Sequence, residues 1–391
     1  MANTFLVPKL IVYGENAMKT AMAELKAFGS KAMIVTDKSM VDLGNLKKLT
    51  NQLDLIGASY CVYQDINSEP DHTMIDTGVG IFQGEKCDYL IALGGGSPID
   101  SMKAIAAAHA NGGSITGYLG KQLDKDLPPM CAIPTTAGTG SEATKFSIIT
   151  NTETNVKMLL SNPKLMVNLA VLETEFTVTA PPSVTAATGV DALTHALEAY
   201  TSVKANVMSD TFAVSALKRI YANIHEAFVN GSNINARREM QLGAFEAGVS
   251  FSNASVTIIH GMSRPIGALF HVPHGMSNAM LLEICLDYLK TGVIDRLCEL
   301  SKAIGVYKTG MSAEQGAEAF VTTTNELLRL LKIKTPMDYG IKKDDFFKYI
   351  PKMSEDAMAS GSPSNTIKTP TKEILAELYA RFWNNCEQNR E

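Results

Sequence analysis

Up to about residue 180 the chain alternates short, continuously apolar runs with helix-length amphipathic stretches. Beyond it the β-type runs give way to Ala- and Leu-rich helical periodicity. LIVYG, AMIVTD, SYCVYQ, DYLIALGGG and MCAIP are too apolar to leave one face in water, so they predict strands buried on both faces of a parallel sheet. Between them NAMKTAMAELKAFG, which stops at a glycine, MIDTGVGIFQGEKC and PIDSMKAIAAAHANGG predict the connecting helices. TKFSIITNTETNVKMLLSNPKL, rich in Thr and Ser, predicts a hairpin or an irregular excursion. The Pro-Pro of TAPPSV, residues 179 to 184, marks a boundary. The pattern therefore predicts a parallel-sheet α/β domain over 1–180 and an all-α domain over 181–391, with no internal repeat.

Composition narrows the class without changing that division. A chain of 391 residues, 46% hydrophobic and 19% charged, can bury two cores. Its net charge of −5 leaves no basic face for phosphates, which argues against nucleic acid as a partner. No apolar run approaches the roughly 20 residues needed to span a bilayer, and MANTFLVPKLIVYG lacks a basic segment followed by an apolar one, so a cytoplasmic location is expected. Cys61, Cys87, Cys131, Cys285, Cys298 and Cys386 are scattered, with no C-x-x-C pair, and read as buried free thiols.

YLIAL followed by GGGSPID is a strand, a glycine turn and a helix start in succession. Gly94, Gly95 and Gly96 let the backbone approach a ligand, and Ser97, Pro98 and Asp100 read as N-cap, N1 and N3 of a helix whose N-terminus suits an anion. A tight turn with nothing bound fits the triplet equally well. Asp37 shifts the balance. It ends AMIVTD about twenty residues beyond the glycine turn at Gly14, where an acid accepts hydrogen bonds from the adenosine ribose and repels a 2′-phosphate, favouring NAD over NADP. The G-x-G-x-x-G fingerprint is absent. In PTTAGTGSE the hydroxyls of Thr135, Thr136, Thr139 and Ser141 could bond a ribose or pyrophosphate, although the composition also describes a surface turn.

In GVDALTHALEAY, Asp191 and His195 stand at i and i+4, so both leave one helix face and could share a divalent cation or merely contact each other. HGMSRPIGALFHVPHG gathers three of the seven histidines downstream. His260 follows VTII and His274 sits in a PHG corner. One carboxylate plus two or three imidazoles suits Fe²⁺, Zn²⁺ or Mn²⁺. His72, His109 and His225 lack clustered partners and read as surface or helix-packing residues.

GGGSPID, PTTAGTGSE, GVDALTHALEAY and HGMSRPIGALFHVPHG, in this order and at these separations, resemble the signatures of the iron-dependent, or group III, alcohol dehydrogenases. The resemblance covers nearly the whole chain. It implies a dehydroquinate synthase-like fold, with a dinucleotide-binding α/β domain, a helical domain, and a cleft between them holding nicotinamide and metal. It implies Asp191, His195, His260 and His274 as metal ligands, with Fe²⁺ the first candidate. The implied NAD contacts are Asp37, Gly94, Gly95, Gly96, Ser97, Asp100, Thr135, Thr136, Thr139 and Lys157. The implied activity interconverts short-chain primary alcohols or diols, such as 1,3-propanediol, and their aldehydes, in a homodimer or larger assembly.

Arg264 departs from the pattern, because many members of that family carry a histidine there. Helical spacing from His260 turns the guanidinium towards the metal side. For a site of net charge about +1 at a separation of about 7 Å and an effective dielectric of about 20, the repulsion is roughly 2 kcal/mol. A neighbouring Asp or Glu, solvent, or an anionic group on the substrate must offset it. Arginine suits forked binding of carboxylate or sulfonate, so an alternative substrate is an aldehyde with an anionic tail, such as sulfoacetaldehyde or succinate semialdehyde. His271 is a candidate proton relay in place of the missing imidazole, or a pocket-lining residue. Ser360, Ser362 and Ser364, in ASGSPSNTIKTP, read either as donors to an anion or as a surface loop.

Overall fold

Six parallel strands form the sheet of the first unit, in the order β1 (Leu10–Tyr13), β8 (Leu169–Leu172), β5 (Met130–Pro134), β4 (Tyr89–Gly94), β2 (Lys31–Val35) and β3 (Ser59–Tyr63). The computed structural model describes residues 4–66, 69–154 and 156–388, and the chain divides into two compact units, Met1–Ala180 and Pro181–Glu391. β4, β5 and β8 are buried throughout, as their unbroken apolar sequences require. Ala17, Met18, Ala21, Met22 and Leu25 of α1 (Ala17–Phe28), with Leu49 and Leu53 of α3 (Asn45–Leu55), pack on Ile34, Ile91, Ile133 and Val171. The short α2 (Lys38–Asp42) precedes α3, and α4 (His72–Gly84) and α5 (Gly96–Asn111) complete the helical layers. β8 is the strand the periodicity does not predict. Its four residues, LAVL, are too few to signal a period, yet they pair with both β1 and β5.

Sheet order fixes where a ligand can approach. β2 leads to β3 on one side, whereas β4, its other neighbour, leads to β5 on the opposite side. The chain therefore reverses direction across the sheet at the C-terminal ends of β2 and β4, the place where open α/β sheets bind ligands. Thr36 Oγ1 donates to the Leu93 carbonyl at 2.7 Å and ties these two ends together. The Thr- and Ser-rich stretch forms an antiparallel hairpin of β6 (Phe146–Asn151) and β7 (Val156–Ser161).

Two cysteines that the sequence scatters meet in space: Cys61 and Cys87 place their sulfurs 3.4 Å apart as free thiols, and burial pushes the Cys87 thiol up to about 12. Two of the unclustered histidines serve packing. His72 Nδ1 accepts from the Thr152 amide at 3.3 Å, and His109 meets the Phe82 ring edge-on.

The second unit is built from α6 (Pro182–Tyr200), α7 (Val207–Val229), α8 (Ile234–Ala254), α9 (Ile258–Phe270), α10 (His274–Lys290), α11 (Ile294–Ala303), α12 (Ala313–Leu330), α13 (Lys343–Ala359) and α14 (Lys372–Gln388). The centre of this unit is α6, whose Ala, Gly and Thr residues let neighbouring helices approach closely. A Cβ at Gly189 would stand 2.7 Å from Ile224 Cδ1 on α7 and 2.9 Å from Met240 Cε on α8. Among the described residues no helix is long and apolar enough to cross a membrane.

Candidate active site

Three helices of the second unit bring one carboxylate and two imidazoles together, with a third imidazole beside the carboxylate. α6 supplies Asp191 and His195 from one face, the first turn of α9 supplies His260, and His274 opens α10. Candidate ligand atoms of Asp191, His195 and His260 all lie within 4.8 Å of one another. Asp191 Oδ1 is 3.7 Å from His260 Nε2 and 3.9 Å from His274 Nε2. The His195 ring is sandwiched, 4.2 Å from Phe251 and 4.5 Å from His260 between centroids. Close helix contact makes this possible, because a Cβ at Gly275 would lie 2.8 Å from the Ala187 carbonyl oxygen of α6.

The electrostatics suit a cation. Burial, reinforced by His195, holds the His260 pKa well below its ordinary value, and burial lowers His274 to about 4, so both imidazoles keep a lone pair at neutral pH. Asn278 Nδ2 donates to Asp191 Oδ1 at 2.6 Å and stands 3.0 Å from His260 Nε2 and 3.3 Å from His274 Nε2. Three electron-pair donors thus converge on one electropositive group, the polarity that a hard or borderline divalent ion requires.

Two residues of this cluster have no counterpart among those singled out in the sequence. Glu198, fully buried, faces His260 Nδ1. Its signal lies in DALTHALE, where i+7 from Asp191 and i+3 from His195 return to the same helix face. Asn278 stands at i+4 from His274, on the first turns of α10.

Arg264 lies on α9 one turn beyond His260, and its Nη1 donates to Ser362 Oγ at 3.1 Å. Among the described residues no carboxylate is within ion-pair distance of it. Burial lowers its pKa, Glu198 opposes that, and its charge helps to lower His260 and His274, so the guanidinium is electrically part of the cluster. Of the three serines, only Ser362 turns to Arg264. Ser360 and Ser364 donate to the Ala357 and Gly361 carbonyls at 2.6 and 2.9 Å. A Cβ at Gly261 would stand 2.6 Å from Pro363 Cγ, which brings this serine segment hard against α9. His271 ends α9 in the left-handed region, φ 55°, with an exposed side chain.

In the first unit, Asp37 and the glycine triplet occupy the ends of neighbouring β2 and β4. Asp37 lies beyond β2 rather than ending it, and caps α2, Oδ1 accepting from the Met40 amide at 3.1 Å. Its Oδ2 would lie 3.2 Å from a Cβ on Gly94, whose φ is +150°. The helix after the triplet starts earlier than its sequence suggests. Gly95 is the N-cap of α5, without a side-chain cap, so Ser97, Pro98 and Asp100 fall inside the helix instead of at N-cap, N1 and N3. The reason is that Gly94 alone makes the turn out of β4, leaving Gly95 free to begin the helix.

PTTAGTGSE lies directly against this turn. A Cβ would stand 3.4 Å from Thr136 Oγ1 at Gly95 and 3.0 Å from Thr139 Cγ2 at Gly96, while the Thr135 amide donates to the Gly94 carbonyl at 3.0 Å. Asp100 and Ser141 fasten the two loops together: the Ser141 hydroxyl donates to Asp100 Oδ1, and Asp100 Oδ2 accepts from the Ile148 amide at 3.0 Å. Buried Lys103 completes the fastening, its Nζ donating to the carbonyls of Ser141, Thr144 and Phe146 at 2.7, 2.8 and 2.9 Å. Lys157, on β7, pairs with Glu69 at 2.5 Å.

Comparison with known proteins matches both units to one family. The profile described as "Iron-containing alcohol dehydrogenase" matches residues 8–174, and that described as "Fe-containing alcohol dehydrogenase family, C-terminal" matches residues 185–383. The chain is 34% identical over 383 residues to the 1,3-propanediol dehydrogenase of Klebsiella pneumoniae, covering 97% of each. It is 34% identical over 390 residues to the lactaldehyde reductase of Escherichia coli strain K12, covering 98% of this chain and 100% of the other. A crystal structure of 1,3-propanediol oxidoreductase superposes with a TM-score of 0.94 at 31% identity, over 98% of this chain and 100% of that one. The structure of sulfoacetaldehyde reductase from Bifidobacterium kashiwanohense in complex with NAD⁺ superposes with a TM-score of 0.87 at 26% identity, over 98% and 99%. Near-complete coverage, two matching profiles and a helical unit that gathers one aspartate with three histidines leave one conclusion: this chain belongs to the iron-containing alcohol dehydrogenase family.

Proposed function

We propose that the protein is a metal-dependent NAD(H) oxidoreductase interconverting short-chain primary alcohols or diols, such as 1,3-propanediol, and their aldehydes. The observation that supports this reading is the grouping of Asp191, His195 and His260, with His274 Nε2 3.9 Å from Asp191 Oδ1. These four would hold the ion, Fe²⁺ first and Zn²⁺ or Mn²⁺ as alternatives. A divalent cation there supplies Lewis acidity towards the substrate oxygen, and the nicotinamide supplies or accepts the hydride.

The chain's own groups bind and orient. Phe251, stacked on His195, shields that imidazole from water. Asp37, at the reversal point of the sheet, would accept hydrogen bonds from the adenosine ribose. The α5 N-terminus carries no side-chain cap, so its amides suit a pyrophosphate, with Gly95, Gly96 and Ser97 allowing close approach and Thr136 and Thr139 alongside. Asp100 acts through the loops it joins. The same reading places the protein in the cytoplasm as a homodimer or larger homo-oligomer. Exhaustive chelation is the test: turnover should vanish while NADH still binds, and full activity in thoroughly metal-free protein would end the reading.

A second reading is favoured by Arg264, a half-buried guanidinium with a serine partner and, among the described residues, no carboxylate in ion-pair contact. It makes the substrate an aldehyde with an anionic tail, such as sulfoacetaldehyde or succinate semialdehyde, with the tail at Arg264. Loss of one desolvated charge-assisted contact is worth about 2–3 kcal/mol, roughly 30- to 150-fold. Arg264→Ala should therefore lower kcat/KM by that factor for charged aldehydes and far less for neutral ones. Equal losses on both classes argue against it.

A further inference from the structure

We infer that Glu198 is a positioning residue whose buried carboxylate fixes His260 in the tautomer that turns a bare Nε2 towards Asp191, an inference that rests on the metal-centre reading above. The two oxygens divide the work. Oε1 accepts from Thr257 Oγ1 at 2.8 Å, from the Ile259 amide at 2.6 Å and from the His260 amide at 3.3 Å. It thereby satisfies the start of α9, whose N-cap Thr257 makes no side-chain cap of its own. Oε2 faces His260 Nδ1.

An ionised Glu198, the state that the three donors to Oε1 favour, offers only lone pairs, so the proton of a neutral His260 then sits on Nδ1. Nε2 is then unprotonated, on the side of the ring that looks towards Asp191 Oδ1 at 3.7 Å and Asn278 Nδ2 at 3.0 Å. One side chain of α6 therefore sets both the direction of α9's first turn and which nitrogen of its histidine can ligate. Partners of this kind orient metal-binding histidines and raise their basicity.

The division of labour makes the inference separable from helix capping. In Glu198→Gln the three donors around Oε1 compel the amide oxygen to stay there, which turns the amide NH₂ on Nδ1. Nδ1 must then accept, and the proton moves to Nε2, where it blocks ligation. Thr257→Val removes one donor to Oε1 and leaves the contact to the imidazole intact.

The test titrates metal-free wild type, Glu198→Gln and Thr257→Val with Zn²⁺ against a competing chelator, and reads the His260 tautomer by ¹⁵N-histidine NMR in the same proteins. We expect Glu198→Gln to fold, to bind Zn²⁺ about 10- to 100-fold more weakly, and to switch His260 to the Nε2–H form, with Thr257→Val close to wild type in both readouts. Wild-type Zn²⁺ affinity in Glu198→Gln, or a wild-type His260 carrying its proton on Nε2, overturns the inference. If Glu198→Gln does not fold, the wild-type spectrum still decides. Failure of wild-type protein to bind Zn²⁺ would sink the metal-centre reading instead, leaving the tautomer measurement to judge Glu198.

Discussion

Gly275 controls how closely the start of α10 approaches α6, and Gly275→Ala tests whether that approach assembles the ligand set. A Cβ there would lie 2.8 Å from the Ala187 carbonyl oxygen, 3.2 Å from its carbon and 3.3 Å from Asp191 Cβ. Two of these atoms are α6 backbone and cannot rotate aside, so reaching an ordinary contact of 3.4 Å requires the helices to separate by about 0.6 Å. His274 precedes Gly275 directly and moves with it, while Asp191 stays with α6. Functional constellations tolerate a misplacement of about 0.5 Å. Zn²⁺ affinity of the metal-free protein should therefore fall about tenfold or more. Overpacking costs about 1–3 kcal/mol, and each kcal/mol lowers the midpoint of a unit of this size by about 2–4 °C. Gly80→Ala is the control. It is exposed on α4, its Cβ meets nothing within 4 Å, and it should stabilise by about 0.5–1 kcal/mol through the unfolded chain. Calorimetry and metal titration read both variants. A Gly275→Ala protein that melts and binds Zn²⁺ like wild type would refute the helix-contact argument.

Two further variants test the first unit. Asp37→Ser keeps a side-chain cap for α2 while removing the charge, so thermal stability should hold and the preference for NADH over NADPH should shrink by about tenfold or more in initial-rate assays; an unchanged preference would remove Asp37 from the cofactor site. Lys103 is lowered by burial to about 8, against 10.5 for a free lysine, so between those values the unfolded chain holds a proton that the fold does not. Stability attributable to this group must rise with pH across that window. Denaturant unfolding of wild type relative to Lys103→Met between pH 7.5 and 10 should show a growing wild-type advantage, and a flat or falling difference contradicts the assignment.

What could be read from the chain follows physical range. The strands β2, β4 and β5 are legible because burial on both faces leaves a local signature; β1 and β3 are apolar too, but they lie at the sheet edges with Leu10, Tyr13 and Val62 exposed, so two-sided burial does not hold for them. The Asp191–His195 spacing is legible because a helix turns it into one face. β8 is not, since four apolar residues carry no period and its place is set by β1 and β5, far away in sequence. Composition points to a cap at Ser97, two residues too late, because Ser97 is a better capping type than Gly95, while the turn geometry at Gly94 decides. Glu198 lies inside a motif that could be quoted, yet its role depends on Thr257, Ile259 and His260, about sixty residues on. Arg264 was conspicuous, but the Ser362 that holds it is separated by 98 positions. Local periodicity announces elements and candidate ligands; the partners that orient those ligands are tertiary.

Charge balance is where the two substrate readings part. A dication facing the carboxylates of Asp191 and Glu198 has its two charges matched, and a neutral alcohol or aldehyde adds none. Arg264 then contributes one positive charge inside a buried cluster, with Ser362, a neutral acceptor, as its hydrogen-bonding partner. A histidine at that position could stay neutral; a guanidinium stays charged across the physiological range. On the neutral-substrate reading, this charge remains a standing cost to cation binding, and Arg264→Ala should tighten Zn²⁺. On the anionic-tail reading, substrate and cation assist each other, so a non-reactive alkyl sulfonate or carboxylate should raise Zn²⁺ affinity in wild type and lose that effect in Arg264→Ala. Linkage requires the reciprocal change as well: Zn²⁺ must tighten the sulfonate by the same factor. Absence of any coupling in wild type would show that the arginine answers to solvent rather than to substrate.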